Sequence, residues 1–147
     1  MEMILGIVTS MGVGLMEGVE LAMSAFVNPI LEKLEDSARA EATRRFAGRL
    51  GRAMPFWYVA SFLLIVVEAV VVRGRAGFVY VVVAGGLWVA VIVLTLMSLV
   101  PINNRLIKMG EFTQELQREQ GRWDMLHRWR VLVLGVAMAC LLVGIRL

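Results

Sequence analysis

Hydrophobic positions along this chain come in four long runs, at about residues 4–29, 54–72, 78–100 and 130–146, separated by polar and charged segments. Each run is close to the ~20 apolar residues that an α-helix needs to cross ~30 Å of hydrocarbon. The third is the cleanest, with no charged residue between Phe78 and Val100. The pattern predicts an all-α integral membrane protein, a four-transmembrane-helix bundle forming a single membrane domain over residues 1–147. The first run could pass for a secretory leader, but it starts with Glu2 where a basic segment would be expected and is interrupted by acids, so it reads as a retained helix. Composition agrees. The chain has 147 residues, 59% hydrophobic and 18% charged, with mean hydropathy +0.76, well above the ~45–50% apolar content of soluble domains.

The segments 31–53 and 101–127 carry ten basic residues, among them Arg44, Arg45, Arg49, Arg105 and Arg118, whereas Arg73, Arg75 and Arg146 stand on the other side. The positive-inside rule then places both long segments in the cytoplasm and both termini outside, with the plasma (inner) membrane as the expected location. Trp57 and Tyr58 suit an interfacial aromatic position at that cytoplasmic edge. The net charge of +3 is spread among interleaved acids, which points to membrane lipid headgroups and not to nucleic acid. Both segments should contain helix. Leu31, Leu34, Ala38, Ala42, Phe46 and Leu50 recur at spacings of three and four and would extend the first membrane helix past a kink at Pro29. Glu111, Glu115 and Glu119 would share one face of a second helix.

Several chemistries are excluded. The single cysteine, Cys140, allows no intramolecular disulfide or CxxC redox pair. Gly12 and Gly14 lie within an apolar run and form no phosphate-binding loop. One histidine, His127, cannot make a multi-histidine metal site, so no metal ligand set is assigned, and the cofactor is left unspecified. The ten methionines read as adaptable packing.

What remains is polar chemistry inside the first helix. Glu17 and Glu20 sit at membrane depth, where an ionisable side chain costs ~3 kcal/mol on insertion scales and normally faces the bundle interior. Glu17, Glu20, Ser24 and Asn28 follow i, i+3, i+7, i+11, one helical face running from mid-membrane to the edge. Asn103 after the third run, and Trp123, His127 and Arg130 entering the fourth, should reach that same edge. Together they predict a polar pocket at that edge. Glu68, near the far side, is expected to take no part. Ser10, Gly14, Gly18 and Ala22, one every fourth position, should let another helix approach closely, either within the chain or in a homo-oligomer.

The stretches GLMEGVELAMSAFVNP, VPINNRL and WDMLHRWR resemble the anthrone-oxygenase-like family of small four-helix membrane proteins, in order and spacing. Asn28–Pro29, Pro101 with Asn103, and Trp123, His127 and Arg130 match its motifs. At Asn28 many members carry histidine, a departure that bears on catalysis. The resemblance implies oxidation of a lipophilic phenolic or quinone-like molecule by molecular oxygen, a reaction in which His127 or Glu20 would be the base and Asn103 or Arg130 would steady the developing oxyanion. Two other classes stay open: a non-catalytic membrane subunit or ligand-binding protein, and a metal- or proton-handling site built on Glu17, Glu20 and His127.

Overall fold

Helices that meet lipid on one side and each other on the other are apolar all round, and only their buried seams keep a strict period. Such seams are present in all four long helices. Thr9, Val13, Met16 and Glu20 are buried on the first, Tyr58, Ser61, Ile65 and Glu68 on the second, Val81, Ala84, Trp88 and Val91 on the third, and Leu134, Ala137, Leu141 and Gly144 on the fourth. The computed structural model describes residues 2–108 and 113–147. Glu111 lies outside the described residues. The four helices are α1 (Glu2–Leu31), α2 (Asp36–Val71), α3 (Phe78–Lys108) and α4 (Gln114–Arg146), each long and apolar enough to span a membrane. No strand occurs among the described residues. Outward positions such as Met11, Leu63, Val70, Val79 and Val136 are exposed, an apolar surface that suits hydrocarbon. The protein is therefore a membrane-embedded four-helix bundle.

The helices run well past the apolar segments. At ~1.5 Å per residue, the 36 residues of α2 span ~54 Å, so about half of it projects beyond a bilayer core. The Leu31–Leu50 periodicity thus belongs mainly to α2, not to an extension of the first helix. The chain turns between Leu31 and Asp36, and α2 restarts there. Ala40 of α2, Ile102 and Leu106 of α3 and Leu116 of α4 form a second small core at this end, against which Trp123 and Leu126 pack. Burial of those apolar faces holds the polar extensions helical.

Pro29 and Pro101 do not end their helices. Proline lacks an N–H and crowds the carbonyl four residues earlier. Each is preceded, at the same offset, by a widened π-turn, Met23–Val27 in α1 and Thr95–Leu99 in α3. The Asn28 and Val100 N–H groups donate five residues back, to the Met23 and Thr95 carbonyls, and helix resumes through the proline. Asn103 and Asn104 are accordingly inside α3 rather than in a turn after it.

At the other end, the residues from Val72 to Gly77 link α2 to α3, with Gly74 at φ +86°, a conformation that favours glycine. There the backbones of α3 and α4 nearly touch: a β-carbon on Gly77 would lie 2.0 Å from the Gly144 carbonyl oxygen. Trp57 Nε1 donates to the Gly12 carbonyl of α1 at 3.0 Å. Trp88 Nε1 donates to the Tyr58 carbonyl at 3.1 Å. Trp57 is thus a tie between helices, and Tyr58, 6% exposed, is a core residue and not the interfacial aromatic that its position suggests. The small-residue seam is divided: a β-carbon on Gly14 would stand 3.3 Å from Met138 Cε of α4, whereas one on Gly18 would meet nothing within 4 Å.

Candidate functional site

The buried faces of α1, α2 and α4 deliver four polar side chains to a common point. Glu20 continues the Thr9–Val13–Met16 seam, Tyr58 opens the seam of α2, and His127 and Arg130 precede Leu134 on that of α4. Arg130 Nη2 pairs with Glu20 Oε2, and Tyr58 Oη donates to Glu20 Oε1 at 3.1 Å. Arg130 also donates from Nη1 to Thr95 Oγ1 at 3.3 Å, and its guanidinium carbon lies 5.7 Å from the Tyr58 ring centroid, within cation–π range. A buried charge without a counter-charge costs several kcal/mol; here the two charges cancel and are held by further hydrogen bonds.

His127 is held at both ring nitrogens. Its Nε2 is 3.1 Å from the Glu20 backbone oxygen, which can only accept, so Nε2 carries a proton. Its Nδ1 lies 2.8 Å from Arg130 Nη2 and 3.3 Å from Glu20 Oε2. Both nitrogens are thus engaged within the cluster. Its ring stacks on Trp123 at 4.7 Å between centroids and 14° between planes.

These groups line a cavity of about 310 Å³, whose walls are mostly apolar, including Met23, Phe46, Leu50, Met54 and Leu99. Glu20, Asn28, Asn103, Trp123, His127 and Arg130 all line it. Asn28 Nδ2 donates to Asp124 Oδ1 at 2.7 Å, and Asp124 also pairs with Arg128 at 2.7 Å. Asn103 Nδ2 donates to the Ala47 carbonyl at 3.4 Å.

Glu17 and Ser24 are half-buried and stand outside this wall. Glu17 lies against Gly135 of α4, where a β-carbon would come 3.2 Å from its Oε1. The absence of Ser24 follows from the π-turn. A widened turn inserts about one residue, so the face that holds Glu20 and Met23 is rejoined by Asn28 at i+8 instead of at i+7. Tyr58, Thr43, Gln120 and Asp124 line the cavity without having been singled out as site residues. For Tyr58 the available signal was its spacing from Ser61 and Glu68 on one face of α2. Among the described residues no group of three or more His, Cys, Asp or Glu side chains is placed to hold a metal ion.

The family model for anthrone oxygenase matches residues 44–140, about two-thirds of the chain. The chain belongs to the anthrone oxygenase family. The matched stretch contains Tyr58, Thr95, Asn103, Trp123, His127 and Arg130, so most of this site is built from the part by which the anthrone oxygenase relationship is recognised. Glu20 and Asn28, in α1, lie outside that stretch. No curated protein and no solved structure matches the chain.

Chemically, the cluster offers a carboxylate, Glu20, whose Oε1 accepts the Tyr58 hydroxyl. Beside it are two donors, Arg130 and Tyr58, suited to an oxygen that gains negative charge. All three open on an apolar space large enough for a small aromatic molecule.

Proposed function

We propose that this member of the anthrone oxygenase family oxidises a lipophilic phenolic ketone of the anthrone class with molecular oxygen in the cavity at the Glu20–Arg130 end of the bundle. The observation that carries the reading is the placing of a carboxylate, a guanidinium and a phenol together on the wall of a mostly apolar cavity. Glu20 takes the proton from the carbon activated by the substrate carbonyl, and the electron pair of that C–H bond moves to the carbonyl oxygen. Arg130 and Tyr58 stabilise the enolate so formed by charge and hydrogen bonding. The electron-rich carbon then reduces O2; one oxygen atom becomes the new carbonyl, the other leaves as water, and the anthrone becomes the anthraquinone. His127, with both nitrogens engaged, orients Arg130 and is a positioning residue in this scheme, in place of the base suggested by its position in the sequence.

The test is oxygen uptake and quinone absorbance with purified full-length protein and a dihydroxyanthrone. Glu20→Gln keeps the side-chain shape and should lower turnover by about 100-fold or more, the usual contribution of a general base. Undiminished turnover in that variant, or none in the wild type, would sink the proposal. The completeness of the Glu20–Arg130 pairing favours a second reading, a binding protein that holds such a ligand without transforming it. Saturable binding with no turnover would select it.

The cavity end faces the cytoplasm in our reading, with both termini outside, because the basic residues concentrate there. In a Cys140→Ser background, Ser37→Cys should resist an impermeant thiol reagent in intact cells and Ala76→Cys should react. The reverse pattern would invert the orientation.

A further inference from the structure

Two polar atoms of the cavity wall are buried and have no hydrogen-bond partner among the described residues: Nε of Arg130 and Oε1 of Gln120. Buried polar groups are nearly always paired, and each exception calls for a reason. Arg130 Nε is a donor that nothing in the Glu20 cluster accepts. The Gln120 amide gives Nε2 to Thr43 Oγ1 at 2.8 Å and leaves its other end open. Whichever way the amide is turned, Thr43 satisfies only one end, because the hydroxyl can donate as well as accept. Gln120, Thr43 and Arg130 all line the same cavity.

Gln120, Trp123, His127 and Arg130 follow i, i+3, i+7, i+10 on one face of α4. Ten residues of helix separate the two unpaired groups by ~15 Å. Both side chains lean toward the helix N-terminus, so their polar ends keep roughly that spacing. A hydrogen bond of ~2.9 Å at each end leaves about 9–10 Å between the two ligand atoms. On that face the Trp123 and His127 rings stand between them, and Met23, Met54 and Leu99 line the same cavity.

We propose that Gln120, held by Thr43, forms a second subsite that reads a hydroxyl group on a part of the ligand beyond its ketone-bearing ring system, making these two residues specificity determinants. The ligand class is an elongated aromatic ketone with its carbonyl toward Arg130 and, toward Gln120, a hydroxyl on a ring or substituent that extends past an anthrone's three-ring nucleus. A hydroxyl fits the open amide end in either orientation because it both donates and accepts. This inference rests on the cavity being the ligand site, as in the function proposed above, but not on any reaction taking place there.

The test uses binding alone. Full-length protein in detergent micelles is titrated with 4-acetyl-4′-hydroxybiphenyl, which has a carbonyl and a hydroxyl at opposite ends of two aromatic rings, and with 4-acetylbiphenyl, which lacks the hydroxyl. Wild type should bind the hydroxylated probe about tenfold more tightly, the size of effect that one buried hydrogen bond supplies. Gln120→Leu should remove that preference, weakening the hydroxylated probe about tenfold relative to the plain ketone. Thr43→Val, which frees the amide to turn away, should reduce the preference and serves where Gln120→Leu lowers the melting temperature. Equal binding of the two probes by wild type overturns the subsite and leaves the cavity as a ligand site. Equal losses for both probes in Gln120→Leu would reduce Gln120 to a shaping residue and also overturn the subsite. Binding of neither probe overturns the ligand site itself, and the subsite with it.

Discussion

Glu20 and Glu68 are buried almost equally, 3% and 2% exposed, toward opposite ends of one bundle. Their surroundings differ in every other respect. Glu20 meets a guanidinium, a phenol and, through its backbone, an imidazole, and it faces a cavity. Glu68 receives one hydroxyl, from Thr9 at 3.4 Å, long for a bond of that type, and makes no ion pair among the described residues. Helix packing around it is close, with Gly6 beside Glu68 and the Gly77–Gly144 approach at the same end. The π-turns account for part of the contrast. Both lie at the Glu20 end, where α1 and α3 each pass a proline, and residues of both, Met23, Thr95, Leu96 and Leu99, line the cavity. A buried acid alone therefore marks depth in the bundle; convergent donors and an open volume distinguish a site.

The largest expected difference between the two ends comes from removing the counter-charge of Glu20. Arg130→Met leaves a carboxylate buried without its cation, which typically destabilises by ~3–5 kcal/mol. It should also abolish turnover of a dihydroxyanthrone, even under conditions where the protein stays folded. Glu68→Gln removes one weak hydroxyl contact and should leave turnover unchanged, with a stability change within ~1 kcal/mol. Thermal unfolding in detergent and oxygen uptake measure both effects. Loss of turnover in Glu68→Gln with activity retained in Arg130→Met would reverse the functional assignment of the two ends.

A smaller effect tests packing. Gly77→Ala drives a β-carbon to 2.0 Å from the Gly144 carbonyl oxygen; the contact is backbone, so α3 and α4 must part, at a cost of ~1–3 kcal/mol. Gly51→Ala, at the cavity end, meets Asn103 Nδ2 at 3.1 Å, a side-chain tip that can turn aside. Alanine also favours helix over glycine by ~1 kcal/mol, so this change should be close to neutral. Equal melting temperatures for the two variants would mean that the terminal end is not the tighter one.

The same contrast explains what the sequence revealed. Four apolar runs made the bundle legible, because twenty uncharged residues leave the backbone little choice but helix in lipid. Glu20 stood out by its depth, and Asn28, Asn103, Trp123, His127 and Arg130 by their places at helix ends. The extensions of α2, α3 and α4 were harder to bound. Apolar content falls at the membrane edge, whereas helix continues wherever a small core such as Ala40–Ile102–Leu116 supports it. Pro29 and Pro101 look like helix ends until the π-turns before them are seen, and the residue gained in such a turn carries Ser24 off the face that ideal spacing assigns it. Tyr58 was misplaced because an aromatic residue near a helix end has the same sequence signature whether it faces headgroups or a guanidinium.

The smallest expected effect concerns the helix that joins the two ends. Along α1, Ser10, Gly14, Gly18 and Ala22 form a regular small-residue seam, but only part of it is used within the chain. Gly14 lies against Met138, whose flexible end can give way, while Gly18 is exposed and meets nothing. Gly18→Leu should therefore shift the stability of the monomer by no more than ~0.5 kcal/mol, and leave ligand binding at Glu20 and Arg130 intact. If copies of the chain associate through this face, the added side chain would hold two backbones apart, and sedimentation in detergent would show a dimer giving way to monomer with an unchanged melting temperature. Marked destabilisation of a protein that is monomeric from the start would instead mean that Gly18 packs inside the bundle, so that the seam serves the core at both ends alike.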